Sequence, residues 1–378
     1  MMDVRLFSSS RKSTFIKIGS WLLIIPSAII GILLVELFCW LFSVDRLRQG
    51  VYQWNQRIIF FDGRDTIFEN HQDIFTYIPH DEIRNLTGFF SDDEFIVEYD
   101  YHFRTNNFGL VQDADIVPER ESLLLLGDSF TEGQGAEPWF RLVSPEIDKL
   151  GYQAINGGLL ATGFEQWLKL DRYLADQNVR IRKLVVIFIS HDYHRLVTHF
   201  PSVVLQCLSA LSACRVEDSY FYRMPPREEL ASWVAKIRTT RGPWMIWLKA
   251  RAAALLPASF HVYKHFKESV GFGGVDFTRA EQESRAAIAE LIRLYGPENV
   301  AFIHLPQKDE VGYGPNNLGL RARRAIEAAG GKLFDGFKLC QLTGTDYYVN
   351  DDHPNKDGYT KIAACAANVI KELVAGGQ

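Results

Sequence analysis

The stretch LLLLGDSFTEG, Leu123 to Gly133, drives four leucines straight into Gly-Asp-Ser. The leucines read as a buried strand. Gly127 ends it, and FTEG reads as a turn entering a helix. Ser129 then stands at the mouth of a strand–helix junction, where free backbone N–H groups collect and can hold an anion. A serine in that place is either a helix cap or a nucleophile. A nucleophile needs a base, usually histidine, and a third group to orient that base. It also needs N–H donors for an oxyanion. The best base lies in YYVNDDHPNKDGY, Tyr347 to Tyr359, where Asn350, Asp351 and Asp352 precede His353 and Pro354 follows it. This stretch comes after the last strand candidate and before a helix, TKIAACAANVIKELV. A loop there can carry His353 over the mouth of the first strand. A carboxylate two or three residues before a histidine can fold back onto its ring nitrogen.

The elements that must bring these groups together show as short apolar runs. They are SLLLLG before Ser129, YQAING ending near Gly157, KLVVIFIS from Lys183 to Ser190, VAFIHLP from Val300 to Pro306, and GKLFDGF near Phe334. Between them lie amphipathic patterns such as FEQWLKLDRYLADQ and RAEQESRAAIAELIRLYG, the latter stopped by Pro297. Apolar strands alternating with such helices imply a parallel sheet covered on both faces, with its site at the carboxyl ends of the strands. Ser129 sits at one of those ends. Upstream, residues 45–118 are rich in aromatic and β-branched residues, and EFIVEYDYHFRTNNFGL alternates, which predicts a small β-containing lead-in. From 196 to 277 the strand–helix alternation breaks. Trp244, Trp247, Lys249 and Arg251 share a helical pattern there. It reads as a helical insert packed on the core, or as a helix lying on a membrane surface.

The chain has 378 residues, 47% of them apolar, and a formal net charge of -5 with no long basic run. That composition supplies a sizeable core and argues against nucleic acid as a partner. The N-terminus departs from it. IGSWLLIIPSAIIGILLVELFCWLF, residues 18–42, carries Glu36 as its only charge, and is long enough to span a bilayer. Residues 1–17 become a cytoplasmic tail under the positive-inside rule, because Arg5, Arg11, Lys12 and Lys17 precede the span. Arg46, Arg48 and Arg57 follow it, which leaves the asymmetry modest. In a bacterium the body would be periplasmic, on a single-pass inner-membrane anchor. Of the cysteines outside the span, Cys207 and Cys214 are close enough for a small disulfide loop in an oxidising compartment. The other reading, for these two with Cys340 and Cys365, is buried thiols. The run SHDYHRLVTHF fits no common zinc spacing, so neither a metal nor a cofactor is expected. Gln307 and Lys308 follow a strand end, lining the cleft or simply solvated.

GDSFTEG together with the late DDHPN resembles the GDSL-type, or SGNH, hydrolase superfamily. The likeness spans residues 120–195 and 298–375. The lead-in FRTNNFGL and the membrane anchor also resemble membrane-tethered bacterial members linked to surface-polysaccharide modification. The resemblance implies a flavodoxin-like α/β/α sandwich over residues 119–375, with Ser129 as nucleophile and His353 as base. Three positions depart from the family pattern. Ala161 stands where an oxyanion glycine is common, and its N–H suffices if its φ/ψ is allowed. His191 stands where an asparagine is usual; it can donate to an oxyanion with Ser129 and Ala161, but it can also charge. Asn350 occupies the usual acid position, so Asp351 is expected to orient His353, with Asp352 second. The function implied is a membrane-anchored serine esterase or O-acyltransferase acting on an ester-bearing glycan or lipid-linked substrate, acetyl among the acyl groups. The alternative is a disabled relative kept as a glycan-binding or assembly component of a cell-envelope polysaccharide system.

Overall fold

In the computed structural model the four leucines lie in strand β6 (Glu121–Gly127) and are fully buried. Successive side chains of a strand point to opposite faces. Leu123 and Leu125 accordingly enter one apolar core and Leu124 and Leu126 the other. A strand that faces two cores has no polar side, which is why this run does not alternate. The structure describes residues 57–71, 74–91, 94–135, 139–195, 221–240 and 277–376, with 209–213 and parts of 26–41 and 256–259.

Strand β6 pairs in parallel with β7 (Gln153–Gly158) on one side and β8 (Arg180–Phe188) on the other. Beyond β8 come β10 (Val300–His304) and β11 (Lys332–Asp335), also parallel. The sheet order is β11-β10-β8-β6-β7. Counted along the chain, these strands run 2-1-3-4-5, the doubly wound order of flavodoxin-like sheets. The order reverses between β6 and β8, so the crevice for a site opens where Ser129 follows β6. Helices Phe140–Lys149 and Lys356–Ala375 cover one face through Val143, Ile147, Ile362, Val369 and Ile370. Helices Phe164–Asp176, Phe277–Tyr295 and Asn317–Ala328 cover the other through Trp167, Leu170, Ile288, Leu291 and Ile326.

The lead-in holds a two-stranded hairpin, β2 (Phe68–His71) with β3 (Ile74–Tyr77), and a four-stranded sheet. Strand β1 (Arg57–Asp62) pairs antiparallel with β4 (Glu82–Ser91), which pairs antiparallel with β5 (Glu94–Arg104). Strand β9 (Phe221–Arg223) runs parallel to β1 and comes from the 196–277 segment. That segment therefore adds a strand to the lead-in as well as the helix Leu230–Thr240. Alternation in β1 sends Ile59 and Phe61 to a core shared with Tyr77, Phe103 and Leu160. Ile58 and Phe60 pack instead with Tyr222, Val234 and Ile237. The turn after β5 is tied by buried Asn106, whose side chain accepts from the Phe108 and Leu110 N–H groups. Downstream, Val111 and Gln112 are hydrogen-bonded to Asn156 of β7. Residues 52–244 and 271–378 thus form one compact unit.

Residues 1–51 with 245–270 form a second unit. Its described residues include a helical stretch over 29–38 whose apolar side chains, from Ile29 to Phe38, are largely exposed. Glu36 is the exception: it is buried, and its two oxygens accept the Ser259 and Ala258 N–H groups at 2.6 and 3.0 Å. Among the described residues no helix is long and apolar enough to cross a membrane. Both ends of the expected span 18–42, the 1–17 tail and the Trp244–Arg251 pattern lie outside the described residues. So do Cys207 and Cys214. Among the described residues a disulfide joins Cys340 and Cys365, two of the cysteines for which the other reading was buried thiols.

Candidate active site

The turn after β6 is built by Asp128, whose side chain caps the short helix Ser129–Glu132 by accepting the Phe130 N–H at 2.9 Å. Gly127 precedes it because a Cβ there would meet Thr131 Oγ1 at 1.9 Å and the Ile187 carbonyl oxygen at 2.5 Å. The serine is therefore held on a tight turn, and its cap role falls to its neighbour. The last loop, after β11, returns over the same strand ends. Tyr347 and Pro354 form an isolated antiparallel bridge, so the residues between them make a tight loop.

Ser129 and His353, 224 residues apart, meet there: Ser129 Oγ lies 2.7 Å from His353 Nε2. His353 Nδ1 lies 2.8 Å from Asp351 Oδ1. All three are buried, with exposures of 5, 6 and 4% for Ser129, His353 and Asp351. The carboxylate fixes the proton on Nδ1, leaving Nε2 to accept from the serine. Asp352 does not take part. Burial, then the charge of Asp351, pushes its carboxyl up to about 6. Asn350, at the usual acid position, is engaged elsewhere: its N–H and side-chain amide donate to Glu98 of β5 at 2.8 and 2.7 Å.

The other oxygen of Asp351 faces the lead-in sheet. Tyr99 of β5 donates its hydroxyl to Asp351 Oδ2 at 2.7 Å, and Arg57 Nη2 of β1 lies 3.1 Å from the same oxygen. Arg57 Nη2 also donates to Tyr99 Oη at 2.6 Å, and Gln134 adds a second donor to that hydroxyl at 3.1 Å. Burial alone would raise the Asp351 carboxyl. Arg57 first, then His353, outweigh it and hold the group well below the usual carboxylate range. Reading the sequence counted Arg57 as a charge flanking the span. In the folded protein it is 8% exposed and bound to Asp351. Glu98, Tyr99 and Arg57 were not singled out as site residues. The alternation of β5 puts Tyr99, Tyr101 and Phe103 on one face, which was the available signal.

The expected oxyanion donors surround the same strand ends. Ala161 has φ of 58°, in the left-handed region where glycine is favoured. Its neighbours are fixed: Leu160 N–H donates to Glu132 Oε2 at 2.7 Å, and Leu159 N–H to the Gly127 carbonyl at 3.1 Å. Glu132 also accepts the Tyr77 hydroxyl at 3.0 Å, and burial pushes its carboxyl up to about 8. His191 lies in the 3-10 turn Ser190–His194 after β8, where its Nδ1 accepts the Gln307 amide at 2.9 Å. With Nδ1 accepting, a neutral ring carries its proton on Nε2, the form that can donate onward. Lys308 is also committed, donating to the Tyr348 and Val349 carbonyls at 2.6 Å each. His194 pairs with Glu281 at 2.7 Å.

A second serine–histidine contact lies one strand away: Ser190 Oγ is 3.1 Å from His304 Nε2. Arg323 Nε donates to His304 Nδ1 at 2.7 Å, which forces the proton onto Nε2. His304 then donates to Ser190, which donates to Glu310 at 2.6 Å. Its histidine is a donor to the serine, the opposite of a base, so this line braces the 3-10 turns.

No family model and no curated protein matches the chain. Solved structures do. One is a protein assigned to the lipolytic G-D-S-L family from Desulfitobacterium hafniense DCB-2, 10% identical, covering 66% of this chain and 99% of its own, with a TM-score of 0.31. Another is a protein from Lactobacillus plantarum, 12% identical over 67% of this chain and 97% of its own, at 0.34. A third is AlinE4, an SGNH-hydrolase family esterase, 13% identical over 67% and 96%, at 0.29. Two of these three are described as G-D-S-L or SGNH proteins.

Proposed function

We propose that the protein is a serine esterase or O-acyltransferase whose nucleophile, base and orienting acid are Ser129, His353 and Asp351. The observation that carries this is the buried, hydrogen-bonded line from Ser129 Oγ through His353 to Asp351, at 2.7 and 2.8 Å. His353 Nε2 takes the serine proton as Oγ attacks the ester carbonyl. The same nitrogen returns that proton to the departing alkoxide, leaving an acyl-enzyme. Water, or a sugar hydroxyl, then gives a proton to His353 and takes the acyl group, and His353 passes that proton to the departing Ser129 Oγ. The Ser129 and Ala161 N–H groups and the His191 ring are the donors for the oxyanion. The disabled-enzyme reading rested on Asn350, Ala161 and His191. It is weakened because Asp351 fills the acid position that Asn350 leaves and Ala161 adopts the glycine-like backbone.

The same proposal places the body outside the inner membrane on the 18–42 anchor, acting on an ester-bearing glycan or lipid-linked substrate. Supporting it are the apolar run, the exposed apolar side chains over 29–38, and a disulfide, which suits an oxidising compartment. The test is a fluorophosphonate probe with p-nitrophenyl acetate turnover on the full chain, wild type against Ser129→Ala. Labelling and turnover lost in the variant are expected. An unlabelled wild type across pH 5–9 would sink the esterase reading. A membrane-impermeant version of the probe should label spheroplasts as fully as lysed cells; labelling only after lysis rejects the exported body.

A further inference from the structure

Asp351 has two oxygens, and they do different things. Oδ1 meets His353 Nδ1, while Oδ2 is taken by Tyr99 and Arg57, both from the lead-in sheet. We propose that Arg57 and Tyr99 are positioning residues for the Asp351–His353 pair, so that the parallel-sheet body depends on the lead-in sheet to complete its triad. The proposal rests on the esterase reading for its catalytic consequence, and on geometry alone for the pairing.

The contacts are built for this. Arg57 is the first residue of β1 and is nearly fully buried. One of its nitrogens, Nη2, reaches both the Tyr99 hydroxyl and the Asp351 carboxylate. Burial keeps the Tyr99 phenol protonated far above its usual range, so it donates to Oδ2. With Oδ2 pinned, Oδ1 has one direction left, toward Nδ1. Two further ties hold the loop to the same region: Glu98 of β5 binds Asn350, and the Tyr348 hydroxyl donates to the Gly135 carbonyl.

Arg57 also sets the charge felt by the imidazole. Among the described residues the other charged or titratable groups facing the pair include Asp352 and Tyr348 on the same loop, Tyr99 on β5, Lys308 and Asp309 on the neighbouring turn, and Asp128 with Arg195 behind Ser129. Lys308 spends its ammonium on two carbonyls, and Arg195 is bound by Asp128 and Asp192. Among the described residues Arg57 is the arginine or lysine in direct contact with Asp351. Without it the carboxylate becomes more basic, the imidazolium is better stabilised, and His353 holds its proton to higher pH.

The experiment measures kcat/KM against pH for the full chain with p-nitrophenyl acetate, and in parallel the ¹⁵N-histidine NMR titration of His353, assigned with His353→Gln. Arg57→Met should move the acidic limb and the His353 midpoint upward by roughly one pH unit. Near that limb the rate then falls about tenfold beyond any uniform loss. Tyr99→Phe should move both the same way by less. Arg57→Lys should restore the wild-type limb, since a single nitrogen makes both contacts. A uniform drop in kcat with an unmoved limb and midpoint would overturn the proposal and leave Arg57 structural. If Arg57→Met does not fold, Tyr99→Phe decides by the same criterion. An inactive wild type would defeat the esterase reading, and the NMR midpoint would still decide the role of Arg57.

Discussion

Glu132→Gln should make the protein more stable at alkaline pH and leave it nearly unchanged in acid. Glu132 is 3% exposed and bridges the Tyr77 hydroxyl and the Leu160 N–H. Burial raises its carboxyl from 4.5 to about 8, with Tyr77 and Leu160 opposing and Asp128 assisting. Between those two values the folded chain holds a proton that the unfolded chain has released. More protons bound when folded means stability falls as pH rises, by about 1.4 kcal/mol per unit for one group. From pH 5 to pH 7 the loss reaches about 3 kcal/mol, an order-of-magnitude figure, and it continues until the folded value is passed. Glutamine keeps an oxygen for Leu160 and an amide for Tyr77 but carries no proton to lose. Other buried carboxyls titrate in both proteins and cancel in the difference. Urea midpoints of wild type and variant at pH 5, 7 and 8.5 read it directly. The gap should open in favour of the variant as pH rises. A gap constant across that range would show that Glu132 ionises normally in the folded protein and would refute the reasoning.

Two further substitutions test other parts of the site. Ala161→Gly should relieve a left-handed strain of about 1–2 kcal/mol while losing about 0.4–1 kcal/mol to a freer unfolded chain. A net gain of up to about 1 kcal/mol with turnover retained is expected, and a loss of more than about 1 kcal/mol in thermal melts would contradict it. Cys340→Ser opens a bridge whose sequence separation is 25 and whose loop carries Asp351 and His353. The chain-entropy cost is about 3.5 kcal/mol, so a clearly lower urea midpoint is expected, as is the same fall on reducing the wild type. An unchanged midpoint would show that the bridge is not formed.

What could be read from sequence was local. The apolar runs, the Gly-Asp-Ser turn and the loop histidine each announce themselves within about ten residues, and the parallel order then brings their ends together. What could not be read was set by contacts across the chain. Asn350 at minus three left Asp351 legible as the partner of His353, but the tie from Asn350 to Glu98 was not, nor was Tyr99 reaching Asp351 over 252 residues. Nothing near Arg57 in the sequence distinguishes it from the arginines at 46 and 48. Strand β9 was missed because three residues, Phe221–Arg223, are too few for a period to show. Cys340 and Cys365 were left among possible free thiols because 25 residues and a loop separate them, whereas Cys207 and Cys214 are near neighbours.

The buried carboxyls at these strand ends show why the lead-in sheet matters to the chemistry. Burial acts on all of them in one direction, toward the neutral form. Glu132 meets a phenol and a backbone N–H, and burial prevails. Asp192 has Arg195, but must share it with Asp128 at 2.5 Å, and its carboxyl is also raised, by burial first and Asp128 next. Asp351 has a phenol as well, yet its carboxyl is lowered, and the difference is Arg57 first and His353 second. A hydroxyl donor alone leaves a buried acid protonated, as at Glu132. The cation from β1 and the imidazole together thus keep this acid ionised where its neighbours in the same wall turn neutral, and Arg57 takes up part of the negative charge that His353 would otherwise feel.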